Sequence, residues 1–377
     1  MPVALGDQHD GQGDEQDTHA EAGRHPRPVD RPEVRRQRPE SAGGLHWPPT
    51  LGLAVEQSPD RRRSAPAAGR TGPIGEDAAV SASDLQIRPL SPVFGAEVRG
   101  VDLADGVDDA TFAAVHAAWL DHGVLAFKGQ SPLPGDVQVE FARRIGPLHE
   151  HPAAPAEHQN PGVLVIRTHR NSSISNGNGW HSDVSCQEEP PSATMLQVQL
   201  LPDCGGGDTL FADMEAAYAT LEPEERARLR DMEAVHASEH VYPGRYADRG
   251  SDDAHIDTPW AIHPVVRTHP ETGRRSLFVN PSFTVSIEGL DQAESAALLE
   301  RLHEHCTRPE FQIRHRWDPY DVLLWDNRRI QHFAIWDYWP HERYGHRVTV
   351  KGTRPFFEPD GPEPEASPIR VSPGRLV

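Results

Sequence analysis

Apolar residues in this chain recur in short clusters separated by polar turns, and the clusters begin at Leu85. Leu85-Gln86-Ile87 alternates with the period of a strand, and Phe94 to Val101 reads as a second one. Asp108 predicts an N-cap for a helix bearing Phe112, Val115 and Trp119 on one face and closing at Gly123. Val124 to Phe127 is an unbroken apolar run, the pattern of a buried strand. A second helix is expected from Asp136, with Val137, Phe141 and Ile145 at helical spacing and Gly146-Pro147 as its stop. Val163 to Ile166 is a core strand that leads into a polar loop from Asn171 to Gly179.

The second half repeats the theme. His181-Ser182-Asp183 is read as extended, Thr194 to Leu200 as a strand, and Gly205 to Thr209 as a turn into Leu210-Phe211. Asp213 caps a helix with Met214, Ala217, Tyr218 and Leu221 inward, and Pro223 opens the next. His236 to Trp260 has no period and is expected to form a lid. Further strands are predicted at 263–266, 276–280, 311–317, 322–325 and 346–351. Asp291 with Glu294 forms a capping box for a helix carrying Leu298, Leu299 and Leu302. Many short strands with few helices predict a mostly β fold, an antiparallel jelly-roll barrel with helical covers.

Composition sets the boundaries. Residues 1–84 are rich in Pro, Gly, Arg and Asp, poor in aromatics, and without period 2 or 3.6. Such a stretch buries too little apolar surface to offset its chain entropy, so it is expected to be a disordered extension or to lie upstream of the true start. The folded domain is placed at 85–357, and a Pro-rich tail at 358–377. A formal net charge of −20 argues against nucleic acid and anionic membranes as partners. No apolar run reaches a membrane-spanning length and the start lacks a secretory pattern, so the expected location is cytoplasmic. Cys186, Cys204 and Cys306 are too few and too scattered for a disulfide framework. The assembly expected is a homo-oligomer, a dimer or tetramer.

The candidate chemistry centres on His181, Asp183 and His332. A His and an Asp two apart on an extended segment share a side, and a distant His completes two imidazoles and one carboxylate. That set leaves three positions of an octahedral metal open, which suits Fe(II) oxygenases better than a closed zinc site. One His-x-Asp pair is a weak signal in a chain with 22 histidines. Arg343 and Arg347, following the distal His, strengthen it. Four apart on an extended stretch they face one interior, where guanidinium groups need anionic partners. A zinc hydrolase would use the same three ligands without needing the two arginines, and a non-catalytic binding barrel is the third reading. Trp325, Trp336 and Trp339 are expected as core or pocket wall, and Asp326, Asn327 and Arg328 as a structural polar network that fixes a turn.

These residues sit within motifs of one known family. Trp180-His-Ser-Asp-Val184, Gly206-Gly-Asp-Thr-Leu210, His263-Pro-Val-Val-Arg-Thr-His-Pro270 and Phe278-Val-Asn280 come first. Trp325-Asp-Asn-Arg328, Gln331-His332, Asp337-Tyr338, Pro340, Arg343 and His346-Arg347 complete the series. In order and spacing the stretch resembles the TauD/TfdA (taurine dioxygenase) family of Fe(II)- and 2-oxoglutarate-dependent dioxygenases. The resemblance implies a double-stranded β-helix of the clavaminate synthase-like/TauD type. It further implies Fe(II) on His181, Asp183 and His332, with 2-oxoglutarate held by Arg343 and Thr209 and with O2 consumed. Arg347 matches the arginine for the substrate's anionic group, and His151 and Phe283 match residues of the same pocket. The implied substrate is a small organic anion, a sulfonate or sulfate ester, with an aryloxy-carboxylate as the alternative. Ala154 stands where the taurine enzymes carry a tyrosine, which points away from taurine itself.

Overall fold

The computed structural model describes residues 85–151, 162–242, 258–362 and 369. The expectations for residues 1–84, for Ala154 and for the middle of the 236–260 stretch fall outside these residues.

The first strands are β1 (Gln86–Pro89) and β2 (Ala96–Arg99), followed by α1 (Asp109–His122) and β3 (Val124–Phe127). Asp108 caps α1 as expected: its side chain accepts from the Thr111 N–H, and Gly123 closes the helix. Next come α2 (Gly135–Ile145), β4 (Val163–Thr168), β5 (Ala193–Leu200) and β6 (Thr209–Asp213). The chain continues through α3 (Met214–Ala219), α4 (Pro223–Leu229), β7 (Glu233–Ala237), β8 (Trp260–Pro264) and β9 (Val266–Thr268). It ends with β10 (Arg275–Leu277), β11 (Thr284–Ile287), α5 (Gln292–Cys306), β12 (Gln312–His315), β13 (Val322–Asp326), β14 (Ile330–Ala334) and β15 (Arg343–Val350). The capping box on α5 is present with both reciprocal hydrogen bonds.

Seven strands form the main sheet in the order β1-β2-β3-β13-β5-β15-β4. Only the β2–β3 contact in it is parallel. A second sheet, β12-β6-β14, lies against it. Period-2 alternation decides which side chain goes where. Leu125, Phe127, Met195, Val322 and Leu324 point outward and pack with Val115 and Trp119 of α1 and Phe141 of α2. Their neighbours Val124, Ala126, Leu196, Leu323 and Trp325 point inward and meet Phe211 and Ile330 of the second sheet. The result is the expected jelly roll with helical covers. A further core joins α3 and α5 to β9 and β10.

Four details differ from the sequence reading. His181 makes only an isolated bridge to His332, and residues 183–186 form a turn, so His-Ser-Asp is not a strand. β7 and β11 were not anticipated, and His236 belongs to β7 rather than to a loop. Phe278 to Asn280 leaves the sheet after β10. Trp339, expected as core or pocket wall, is 61% exposed. Residues 358–361 stay attached to the fold, because Arg275 donates to the carbonyls of Glu358, Pro359 and Gly361.

Candidate active site

The site forms where β14 and the turn after the His181 bridge face the inner side of the main sheet. His181 and His332 exchange backbone hydrogen bonds of 3.1 and 2.8 Å, which brings their imidazoles to 4.1 Å between centroids. Asp183 enters from the turn. Its Oδ1 lies 3.7 Å from His181 Nε2 and 3.9 Å from His332 Nε2. One ligand atom from each residue lies within 4.8 Å of the others, and all three residues are buried. The turn itself is strained: Val184, directly after Asp183, has φ 46°, which a β-branched residue adopts only when its surroundings force it.

Proton positions follow from partners. His181 Nδ1 is 2.8 Å from the Gly179 carbonyl, so Nδ1 carries the hydrogen and Nε2 offers its lone pair toward Asp183 and His332. Burial, with His181 and Arg347 nearby, holds the His332 imidazole well below its ordinary value, so it too is neutral. At Asp183 burial opposes ionisation, but Arg347 and the Thr194 hydroxyl outweigh it and hold the carboxyl below the usual range. Neutral imidazoles and an ionised carboxylate are the states a divalent transition metal requires.

Both arginines of β15 line the same pocket as His181 and His332, as their spacing required. Arg347 Nη1 donates to Asp183 Oδ1 at 3.2 Å. Arg343 is buried, with its guanidinium carbon 5.4 Å from the Trp317 ring. Its Nε and Nη2 have no hydrogen-bond partner among the described residues. Thr209, at the start of β6, lines the pocket as well and accepts from Trp317 Nε1 at 3.0 Å. Two glycines permit the close approach. Gly177, at φ 81°, leaves room for His181 Cε1, which a Cβ would meet at 3.3 Å. At Gly207, φ 88°, a Cβ would meet Arg343 Cδ at 3.2 Å.

His151 and Phe283 do not line this pocket. Each instead approaches Tyr242, with ring centroids 5.6 and 6.0 Å apart. Val184, Cys186, Tyr242 and Phe283 form one small apolar cluster, so this group lies on the chain just beyond Asp183. The Tyr242 hydroxyl is 3.9 Å from Cys186 Sγ. Nothing in the sequence singled out Tyr242, because it stands at the edge of a segment without period.

Sequence reasoning also missed the polar support of Asp183. Thr194 Oγ1 donates to Asp183 Oδ2 at 2.6 Å, and Asn327 Nδ2 donates to Thr194 Oγ1 at 2.8 Å. Asp326 and Arg328 behave as read, forming a buried ion pair with two contacts of 2.8 Å. His269 adds a 2.9 Å contact to the same carboxylate. Asn327 between them does more than fix a turn.

The family described as "Taurine catabolism dioxygenase TauD, TfdA family" matches residues 86–349. An alpha-ketoglutarate-dependent sulfate ester dioxygenase of Pseudomonas putida is 36% identical over 284 residues, covering 73% of this chain and 92% of its own. The (S)-phenoxypropionate/alpha-ketoglutarate-dioxygenase of Sphingobium herbicidovorans is 36% identical over 267 residues, or 67% of this chain and 90% of its own. A solved taurine dioxygenase from Burkholderia xenovorans shares 34% identity with a TM-score of 0.63, covering 74% of this chain and 95% of that one. With two neutral imidazoles and a carboxylate converging beside two pocket arginines, on a fold shared with these enzymes, the chain belongs to the TauD/TfdA family of dioxygenases.

Proposed function

We propose that the chain is an Fe(II)- and 2-oxoglutarate-dependent dioxygenase whose primary substrate is a small organic anion, a sulfate ester or sulfonate bulkier than taurine. The observation that carries the cosubstrate is Arg343. A buried guanidinium with two unmet donors, in one pocket with two histidines and Thr209, fits a carboxylate taken bidentately. His181, Asp183 and His332 would hold the metal, and Arg343 with Thr209 would hold the distal carboxylate of 2-oxoglutarate. Bound iron would couple reduction of dioxygen to decarboxylation of 2-oxoglutarate, yielding succinate, carbon dioxide and a hydroxylated substrate carbon.

The chain's share is positioning. Arg347, beside Asp183, would take the substrate's anionic group and so hold the neighbouring carbon over the metal face. Ile166, Leu196 and Ala334, the apolar side chains of the pocket wall, would face the carbon group. Hydroxylation of the carbon bearing a sulfate ester oxygen gives an adduct that collapses to an aldehyde and sulfate. The Pseudomonas putida relative's name supports the sulfate ester. The Sphingobium herbicidovorans relative's name supports an aryloxy-carboxylate as the second reading.

The test is succinate release from 2-oxoglutarate with Fe(II) and air, across alkyl sulfates, sulfonates and aryloxy acids. Substrate-dependent succinate with stoichiometric sulfate or sulfite is the expected result. Sulfate release without oxygen or 2-oxoglutarate would instead identify a hydrolase, and no turnover with any anion would sink the reading.

The proposal includes a catalytic domain at 85–357 flanked by the two tails, a cytoplasmic location and a homo-oligomer, dimer or tetramer. Among the described residues no helix is long and apolar enough to cross a membrane. The exposed Trp260 and Trp339 offer apolar surface for self-association, which sedimentation would test.

A further inference from the structure

Three hydrogen-bonding side chains, from β13, the turn after it and β5, connect a pocket wall to the carboxylate of Asp183. Trp325, on β13, lines the pocket and stands 4.8 Å from the His332 ring. Its indole N–H reaches Asn327 Oδ1 at 3.0 Å. Asn327 Nδ2 reaches Thr194 Oγ1 at 2.8 Å, and that hydroxyl reaches Asp183 Oδ2 at 2.6 Å. Thr194 is the cross-strand partner of Trp325, so sheet register alone brings the two together.

The direction of every bond in this series is fixed by chemistry. An indole N–H can only donate, so the Asn327 oxygen faces Trp325 and its amide N–H faces Thr194. With that donor occupying the Thr194 oxygen, the single hydroxyl hydrogen is sent to the carboxylate, which can only accept. All four residues are buried, at 2% exposure or less, so water does not compete. Asn327 is itself clamped. Its N–H donates to the Ser192 carbonyl at 2.9 Å, and its carbonyl accepts from Ser182 Oγ at 2.6 Å, inside the His-Ser-Asp turn.

The two carboxylate oxygens of Asp183 are therefore not equivalent. Oδ2 is tied to Thr194, while Oδ1 faces both histidine Nε2 atoms and Arg347. We propose that Trp325, Asn327 and Thr194 form a one-way hydrogen-bond relay that positions Asp183, leaving a single oxygen for the metal and the remaining coordination positions open. These are positioning residues. The inference rests on the metal reading given above.

The test is anaerobic Fe(II) affinity by titration calorimetry, with circular dichroism and melting as the check on folding. Thr194→Val removes the donor at nearly constant volume and should weaken Fe(II) binding by about 10–100-fold. Thr194→Ser keeps the hydroxyl and should bind within about threefold of the parent chain, well inside that range. Asn327→Asp is the more telling change. The carboxylate placed there cannot donate to Thr194 and would draw the hydroxyl hydrogen away from Asp183, so Fe(II) affinity should fall as in Thr194→Val. A packing role alone would not distinguish this near-isosteric pair. Folded Thr194→Val and Asn327→Asp proteins that bind Fe(II) like the parent overturn the relay. If Thr194→Val fails to fold, Asn327→Asp decides. A parent chain that binds no Fe(II) would refute the metal reading itself, a different result from failure of the relay alone.

Discussion

Replacing Arg343 with methionine should stabilise the ligand-free protein and destroy its affinity for 2-oxoglutarate. Burial holds the Arg343 pKa below its ordinary value, and Nε and Nη2 find no acceptor among the described residues. Each buried donor without a partner costs about 1–3 kcal/mol. Methionine fills much of the same volume beside Trp317 and Tyr338 without that penalty, so a net gain of about 2 kcal/mol is expected. For a domain of this size that is a rise in Tm of roughly 4–6 °C. With ligand the sign reverses. Two charge-assisted bonds to a carboxylate contribute about 1.5–3 kcal/mol each, so their loss should weaken 2-oxoglutarate by at least about 100-fold.

Thermal melts with and without 2-oxoglutarate, in the presence of Mn(II) and without oxygen, read both halves. At 100 times its Kd the cosubstrate should stabilise the parent protein by about 2.7 kcal/mol and leave Arg343→Met unmoved. An Arg343→Met protein that melts lower than the parent and still binds 2-oxoglutarate within a few-fold would refute the reasoning. In that case the guanidinium would be a structural group with partners of its own.

His181→Ala, Asp183→Asn and His332→Ala should each abolish succinate release while circular dichroism shows the barrel folded; normal turnover in any one removes that residue from the metal set. Arg347→Ala should raise KM for the anionic substrate by roughly 100-fold or more, since a buried pair broken on one side costs about 3–5 kcal/mol, and leave KM for 2-oxoglutarate unchanged. Equal effects on both constants would contradict that assignment. Burial pushes the His263 imidazole down to about 4 from an ordinary 6.5. Its folded value is the lower one, so the unfolded chain takes up the proton first, and stability falls as pH drops from 6.5 toward 4. The loss is on the order of 3 kcal/mol, and His263→Gln should flatten that part of the pH–stability curve; an unchanged slope in chemical denaturation would refute it.

Local signals carried the helices and the outer strands. Asp108, Asp213 and the Asp291–Glu294 pair cap the helices they were expected to cap, because a cap is decided by a few adjacent residues. The His-Ser-Asp turn was not legible, since no Gly or Pro marks it and Val184 goes against its own preference. β7 and the first half of β8 were obscured for another reason. His236 and His263 point into the interior, at 0% and 1% exposure, so inward positions read as polar and the period-2 pattern breaks. Trp339 misled in the opposite sense, an aromatic that remains outside. The support of Asp183 could not be read at all, because Thr194 and Asn327 meet only through the register of β5 and β13.

The buried arginines show why position in the sequence does not reveal role. Arg328 is answered by Asp326 and Glu271, and Arg329 by Asp213 and Glu215. Arg275 is answered by three carbonyls of the C-terminal segment. These charges are satisfied within the fold, and removing one partner would leave the other stranded. Arg343 is as buried as Arg328 but has two donors left over. Arg347 is intermediate, paired with the carboxylate that would hold the metal. An arginine whose partners belong to the chain serves stability. One left short of partners at the wall of a pocket is a standing demand for an anion, and the chain's charge of −20 ensures that the demand is local. The scaffold keeps that unmet charge in place because Arg343 stands at the start of β15, a strand paired on both sides.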